Sequence, residues 1–209
     1  MIPSAPDAPS DGTSRPIRRI CVFCGSSAGE DPKYLDAATA IGTILAREEI
    51  GLVYGGSRVG LMGRLANTVL DAGGEVTGFI PRALVNREVA HTGLTDLHVV
   101  ESMHERKAFM AEASDAFLAM PGGLGTLEEF CEVLTWSQLG LHRKPCALLD
   151  VKGFFQPLIR FLDHAVKEGF LAPTHRSMVI VESEPDSILR RLRHYSAPSV
   201  PRWIEAEET

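Results

Sequence analysis

The chain has 209 residues, 44% of them hydrophobic and 23% charged, with a formal net charge of −6. That length suffices for one domain with a full core. The negative balance argues against non-specific binding to a nucleic acid polymer, and no apolar run reaches the ~20 residues that a membrane-crossing helix needs.

Residues 1–16, rich in Pro, Ser, Asp and Ala, lack the apolar centre of a signal peptide and read as a disordered tail. A cytoplasmic location is the expectation. Residues 17–196 read as a single domain and 197–209 as a loose acidic tail.

In chain order, residues 17–24 predict a first strand. Cys21 and Cys24 form C-x-x-C within it, but a spacing of three puts them on opposite faces of a strand, so they are structural rather than a redox or zinc pair. The loop Gly25-Ser26-Ser27-Ala28-Gly29 matches G-x-S-x-G, yet a nucleophile elbow needs its helix directly after the serine. Here the helix begins at Asp31-Pro32, a cap followed by a first-turn proline, with Leu35, Ala38, Ile41 and Leu45 on its inner face. Gly25 and Ser26 are expected instead to face a ligand cleft.

A short strand over 52–54 leads into Gly55-Gly56 and a helix over 60–72; these glycines match neither the dinucleotide fingerprint nor a Walker A loop. A strand over 75–80 precedes an irregular stretch holding Arg82, Arg87, Glu88 and His91. Strand 97–100, helix 103–113 and strand 115–120 follow. After the turn at 121–123 a helix runs to about 139, with Leu124, Leu127, Cys131, Leu134 and Gln138 at helical spacing. Strand 145–150, helix 154–168, strand 178–181 and helix 184–194, with Pro185 in its first turn, complete the chain. Apolar strands alternating with helices predict an α/β fold, a Rossmann-like doubly wound parallel sheet of about seven strands with helices on both faces. Its cleft should lie at the C-terminal strand ends, where the loops after strands one, two, four and five are rich in glycine or charge.

Two clusters carry the chemistry. Residues 121–129 read P-G-G-L-G-T-L-E-E. Gly122, Gly123 and Gly125 permit close backbone approach and positive φ, and the helix start behind them favours a phosphate. Thr126 is a candidate cap, and Glu129 either completes a capping box or faces the ligand. The second cluster, Met103-His-Glu-Arg-Lys107, opens the preceding helix. Its cationic pair, Arg106 and Lys107, would hold a phosphate and pair with Glu129. The seven histidines are scattered, with no H-E-x-x-H, so no metal site is expected.

Together M-H-E-R-K and P-G-G-L-G-T-L-E-E, with V-Y-G-G-S-R-V-G-L-M-G and T-W-S-Q-L-G-L-H, resemble the LOG family, the cytokinin riboside 5′-monophosphate phosphoribohydrolases, many once labelled lysine decarboxylases. The resemblance implies hydrolysis of the N-glycosidic bond of a nucleoside 5′-monophosphate, giving an N6-substituted adenine and ribose 5-phosphate. It implies Arg106 and Glu129 as catalytic residues. The phosphate would sit on residues 122–126, with Gly55 and Gly56 as a second close approach and Lys107 adding charge nearby. Glu88, Met103, Glu128 and Thr135 would contact substrate. Leu124 stands where plant members usually carry tyrosine, a change expected to alter the base pocket. No cofactor is implied, and no lysine has the context of a Schiff base.

A nucleosidase acting on AMP or other monophosphates, and a non-catalytic nucleotide carrier, are the alternative readings. A homodimer is implied as well, with Phe109, Met110, Trp136, Leu139 and Leu141 as candidate interface groups and Arg82 or Glu88 supplied across the seam.

Overall fold

A computed structural model describes residues 16–85 and 90–200. The expectations for Arg87, Glu88 and both chain ends lie outside the described residues. Seven strands form one sheet: β1 (Arg19–Phe23), β2 (Gly51–Tyr54), β3 (Val76–Pro81), β4 (Asp96–Val100), β5 (Ala116–Ala119), β6 (Cys146–Leu149) and β7 (Val179–Glu182). All neighbours are parallel, in the order β4-β3-β2-β1-β5-β6-β7. The chain winds outward from β1 to one edge, then returns to β1 and winds outward to the other. The switch point therefore falls between β1 and β5, where α/β sheets open a ligand crevice beyond the strand ends.

Helices cover both faces. On one, α1 (Lys33–Arg47), α2 (Gly60–Asp71) and α8 (Pro185–Arg193) bury Ile41, Leu45, Leu65, Val69 and Leu189 against Ile20, Val22 and Leu52. On the other, α4 (Met103–Glu112), α5 (Leu124–Gln138) and α6 (Gln156–Lys167) bury Met110, Phe130, Val133 and Ile159 against Cys21, Phe23 and Phe117. Cys21 and Cys24 fall in opposite cores, as strand alternation requires. The Asp31 carboxylate accepts the Lys33 amide at 2.9 Å, but the N-cap position of α1 is Pro32, one residue later than expected.

Two single-turn helices, α3 (Arg82–Val85) and α7 (Pro173–Arg176), escape the sequence reading because four residues show no periodicity. The two edge strands depart from the pattern of uniform burial, β7 being only partly buried at Val181 and Glu182. Only Val100 of β4 is fully buried, since β4 is an edge whose outer residues no helix covers completely. None of the described helices is long and apolar enough to cross a membrane.

The link from α5 to β6 turns on His142. Its Nδ1 accepts the Lys144 amide at 3.1 Å, which leaves Nε2 to donate to the Val133 carbonyl at 2.8 Å. Burial pulls its pKa down to about 4. The unfolded chain therefore takes up a proton first as pH falls. Stability is full above the ordinary histidine value, near 6.5, and is lost on the way down towards 4. Denaturant unfolding should show about 1–2 kcal/mol less stability at pH 5 than at pH 7 from this residue, and His142→Asn should flatten that part of the slope.

Candidate active site

The four loops expected at the cleft do converge. After β1, the Gly25 amide donates to the Pro121 carbonyl beyond β5 at 3.0 Å, while the Gly25 carbonyl accepts the Leu61 amide of α2 at 3.1 Å. The first amides of α2 are thus engaged by protein. Those of α5 are different. Its N-cap is Gly123, which brings no side-chain acceptor. The amides of Leu124, Gly125 and Thr126 have no acceptor among the described residues, the first bond back into the helix being Leu127 to Gly123 at 3.2 Å. Three aligned donors at the positive end of a 15-residue helix form an anion cradle at the switch point.

This geometry revises three expectations for the 121–129 turn. Thr126 does not cap the helix: it lies inside the first turn, buried, because α5 starts three residues earlier than a threonine cap would require. Nor do the turn glycines serve positive φ, for the left-handed glycines of the described residues lie elsewhere, Gly56 and Gly60 among them. Gly122 is needed for space instead: a Cβ there would lie 2.2 Å from Thr126 Oγ1 and 2.9 Å from the Gly25 amide nitrogen. Around Gly123 and Gly125 the space is open.

The third revision concerns the face of α5. Thr126, Glu129, Phe130, Val133 and Ser137 are its buried positions, whereas Leu124 is 86% exposed and Cys131 is also exposed. The leucine series has helical spacing but flanks the inner face: Leu127 and Leu134 are only partly buried against the core. The inner side carries polar residues where it meets the cleft, and that made it hard to see.

Glu129 consequently points inward. Its Oε1 lies 3.0 Å from Arg106 Nη1, and each residue is 8% exposed. The capping-box reading of Glu129 is therefore replaced by a cross-helix ion pair. Arg106 is fixed further by a 3.1 Å bond from Nε to the Phe79 carbonyl at the end of β3, and Met103 Sδ lies 3.9 Å from Nη1. Burial raises the Glu129 pKa, Arg106 opposes it, and Glu128 adds to it; the net direction is up. A carboxylate whose ionisation burial disfavours, set beside a guanidinium, suits electrostatic or acid–base work on a bound sugar.

Gly55, after β2, explains itself here. A Cβ on it would come within 1.9 Å of Arg106 Nη2. Gly55→Ala should push the guanidinium off Glu129 and reduce turnover by about a hundredfold, the usual scale for an ångström of misplacement. Steady-state kinetics would check it. Gly56 is bent at φ 72° and packs against Ile80, with its carbonyl accepting the His91 amide at 2.9 Å.

The remaining predicted residues separate into three groups. Ser26 is exposed on the β1 loop. Lys107 Nζ lies 2.5 Å from Glu128 and 3.0 Å from Glu132, so lysine and Glu128 engage each other. Sequence reading missed Glu132, although its i, i+4 spacing from Glu128 was visible. Thr135 is exposed eleven positions beyond Leu124, about 16 Å along α5 from the cradle at a helical rise of 1.5 Å per residue, and its hydroxyl bonds the Cys131 carbonyl at 2.7 Å. No group of three potential metal ligands occurs among the described residues.

A doubly wound α/β sheet with uncapped helix amides at its switch point and a buried arginine–glutamate pair beside them defines a Rossmann-like protein with a site for a small-molecule ligand. Residues 62–192 match the family model described as "Possible lysine decarboxylase". A cytokinin riboside 5′-monophosphate phosphoribohydrolase of Rhodococcoides fascians is 52% identical over 177 residues, covering 84% of this chain and 89% of that protein. One from Arabidopsis thaliana is 48% identical over 186 residues, covering 89% and 85%.

The chain belongs to this family of phosphoribohydrolases, the LOG family, and is an enzyme of the N-glycosyl hydrolase class. Among solved structures, the molybdenum cofactor binding protein of Rippkaea orientalis aligns with a TM-score of 0.62 over 82% of this chain and 93% of its own, at 22% identity. That likeness concerns the fold alone.

Proposed function

We propose that this enzyme hydrolyses the N-glycosidic bond of cytokinin riboside 5′-monophosphates, releasing an N6-substituted adenine and ribose 5-phosphate. The observation that carries the reading is the Arg106–Glu129 pair beside the unoccupied amides of α5. The phosphate sits on the amides of residues 124–126, with Gly122 clearing the approach. Water adds at C1′ as the bond to the base breaks; the bonding pair leaves with the base, which takes up the proton that the water gives up. Positive charge grows on the ribose, and the Glu129 carboxylate stabilises it or accepts the water's proton. Arg106 orients that carboxylate. The site works without a cofactor, in the cytoplasm.

The test is base release from isopentenyladenosine monophosphate and from AMP. Preferential release from the N6-substituted nucleotide supports the reading. Equal rates would point to a general nucleosidase, and binding without release in both cases would point to a carrier.

The same reading includes a homodimer. Met110, one of the expected interface groups, is instead in the core, and Trp136 is partly buried against it. Leu124, Met103, Phe109 and Val99 are exposed, and Leu127 and Leu134 are partly buried. This is an apolar surface spanning α4 and α5 of the kind a second copy covers. Thr135, too far along α5 to reach its own cradle, would contact substrate only from such a copy. Sedimentation at micromolar concentration should give twice the chain mass of 22.7 kDa, and a fully active monomer would end the idea.

A further inference from the structure

We propose that Lys107 is a positioning residue for Glu129, not a ligand of the substrate's phosphate; the proposal rests on the hydrolytic reading of the site above. The observation is a double rung between α4 and α5. Arg106 bonds Glu129 at 3.0 Å, and the adjacent Lys107 reaches Glu128 at 2.5 Å and Glu132 at 3.0 Å, on either side of Glu129 along the helix. An ammonium has three donors, and two are engaged by carboxylates in a side chain only 9% exposed.

The charge count points the same way. One lysine with two glutamates carries a net −1, and the Arg106–Glu129 pair carries none. The combined cluster does not attract an anion, which leaves the phosphate to the amides of α5. What the cluster does is set the register of α4 against α5 and the field at Glu129.

The groups around Glu129 can be taken in turn. Arg106 and Lys107 face it from α4 and favour its ionised form; Glu128 and Glu132 flank it on α5 and oppose ionisation. Cys21 of β1 and Cys24 just beyond it approach as thiols that burial keeps protonated. The Glu128 and Lys107 effects are opposite in sign. Removing Lys107 alone should make Glu129 harder to ionise, and removing Glu128 with it should restore the balance. Burial works against the Lys107 charge, yet the bonds from Glu128 and Glu132 raise its pKa, so it stays an ammonium rather than becoming a nucleophilic amine.

The experiment compares the wild-type enzyme, Lys107→Met, and Lys107→Met with Glu128→Gln. Three readouts are needed: affinity for ribose 5-phosphate by calorimetry, the pH profile of kcat/KM for base release, and the Glu129 carboxyl titration by carbon-13 NMR. In Lys107→Met, ribose 5-phosphate affinity should stay within about twofold, whereas loss of a charged bond to phosphate would lower it tenfold or more. The Glu129 titration and the acid limb of the profile should both move up by about half a pH unit. The double variant should bring them back and relieve any folding defect of the single one.

A tenfold or greater loss of affinity that persists in the double variant overturns the proposal, as does a Glu129 titration that does not move. Should the wild-type enzyme release no base, the functional reading fails. Affinity and titration would still decide the role of Lys107.

Discussion

Glu129→Gln should lower base release by about a thousandfold, within the range of a lost acid–base or charge-stabilising group, while the thermal midpoint changes little. The two halves of that expectation come from one fact. Burial of Glu129 disfavours its charge more than Arg106 favours it, since its pKa is raised. A neutral amide of the same shape therefore relieves a folding penalty while keeping an acceptor for Arg106.

The ionised form is costly for the fold and is retained for chemistry. Arg106→Ala should damage turnover to a similar degree and also destabilise, because it leaves Glu129 buried without its partner. The wild-type profile should lose activity on the acid side above the ordinary glutamate value of about 4.3, as protonation of a raised carboxylate removes the working form. Turnover near wild type in Glu129→Gln, measured beside a melting curve, would return this residue to a structural role.

The riboside lacking its 5′-phosphate should be cleaved at least about a thousandfold less efficiently than the monophosphate. Three uncapped amides at the start of α5 have no partner among the described residues, and each can make a charge-assisted bond to a phosphate oxygen. Binding through a remote group that stays unchanged in the reaction also positions the ribose over Glu129, so its loss should lower kcat as well as raise KM. Ribose 5-phosphate should compete with substrate. Comparable kcat/KM for riboside and monophosphate would mean that the 121–129 turn does not hold phosphate.

Much of the architecture is legible in the residues. Each of the seven strands lies within two residues of its predicted span, because apolar runs bounded by glycine, proline and charge leave few alternatives. Tertiary contact decided the rest. The inner face of α5 could not be read from periodicity, since Thr126 and Glu129 occupy core-facing positions for the sake of the cleft, while Leu124 is exposed and Leu127 and Leu134 are only partly buried. The partners of Arg106 come from β3 and α5, distant in sequence, and only Glu129 among them was suspected. The reason for Gly55 was invisible until Arg106 was seen to lie against it. For Lys107 the sequence reports a charge without reporting the carboxylates it bonds, Glu128 and Glu132.

The double bond of Gly25, amide to the loop after β5 and carbonyl to the head of α2, bears on how this sequence can drift. Three segments separated by dozens of residues meet at one glycine. A Cβ there would lie 3.1 Å from the Ser27 carbonyl oxygen and 3.3 Å from the Gly122 Cα. A single methyl group would thus press on two of those segments at once. Substitutions in any one of these segments are tolerable only if the other two still converge on the same point, so their histories are linked even where their side chains never touch. In a library of variants, the loop after β1, the start of α2 and the turn after β5 should behave as one heritable unit, with Gly25 as its fixed centre.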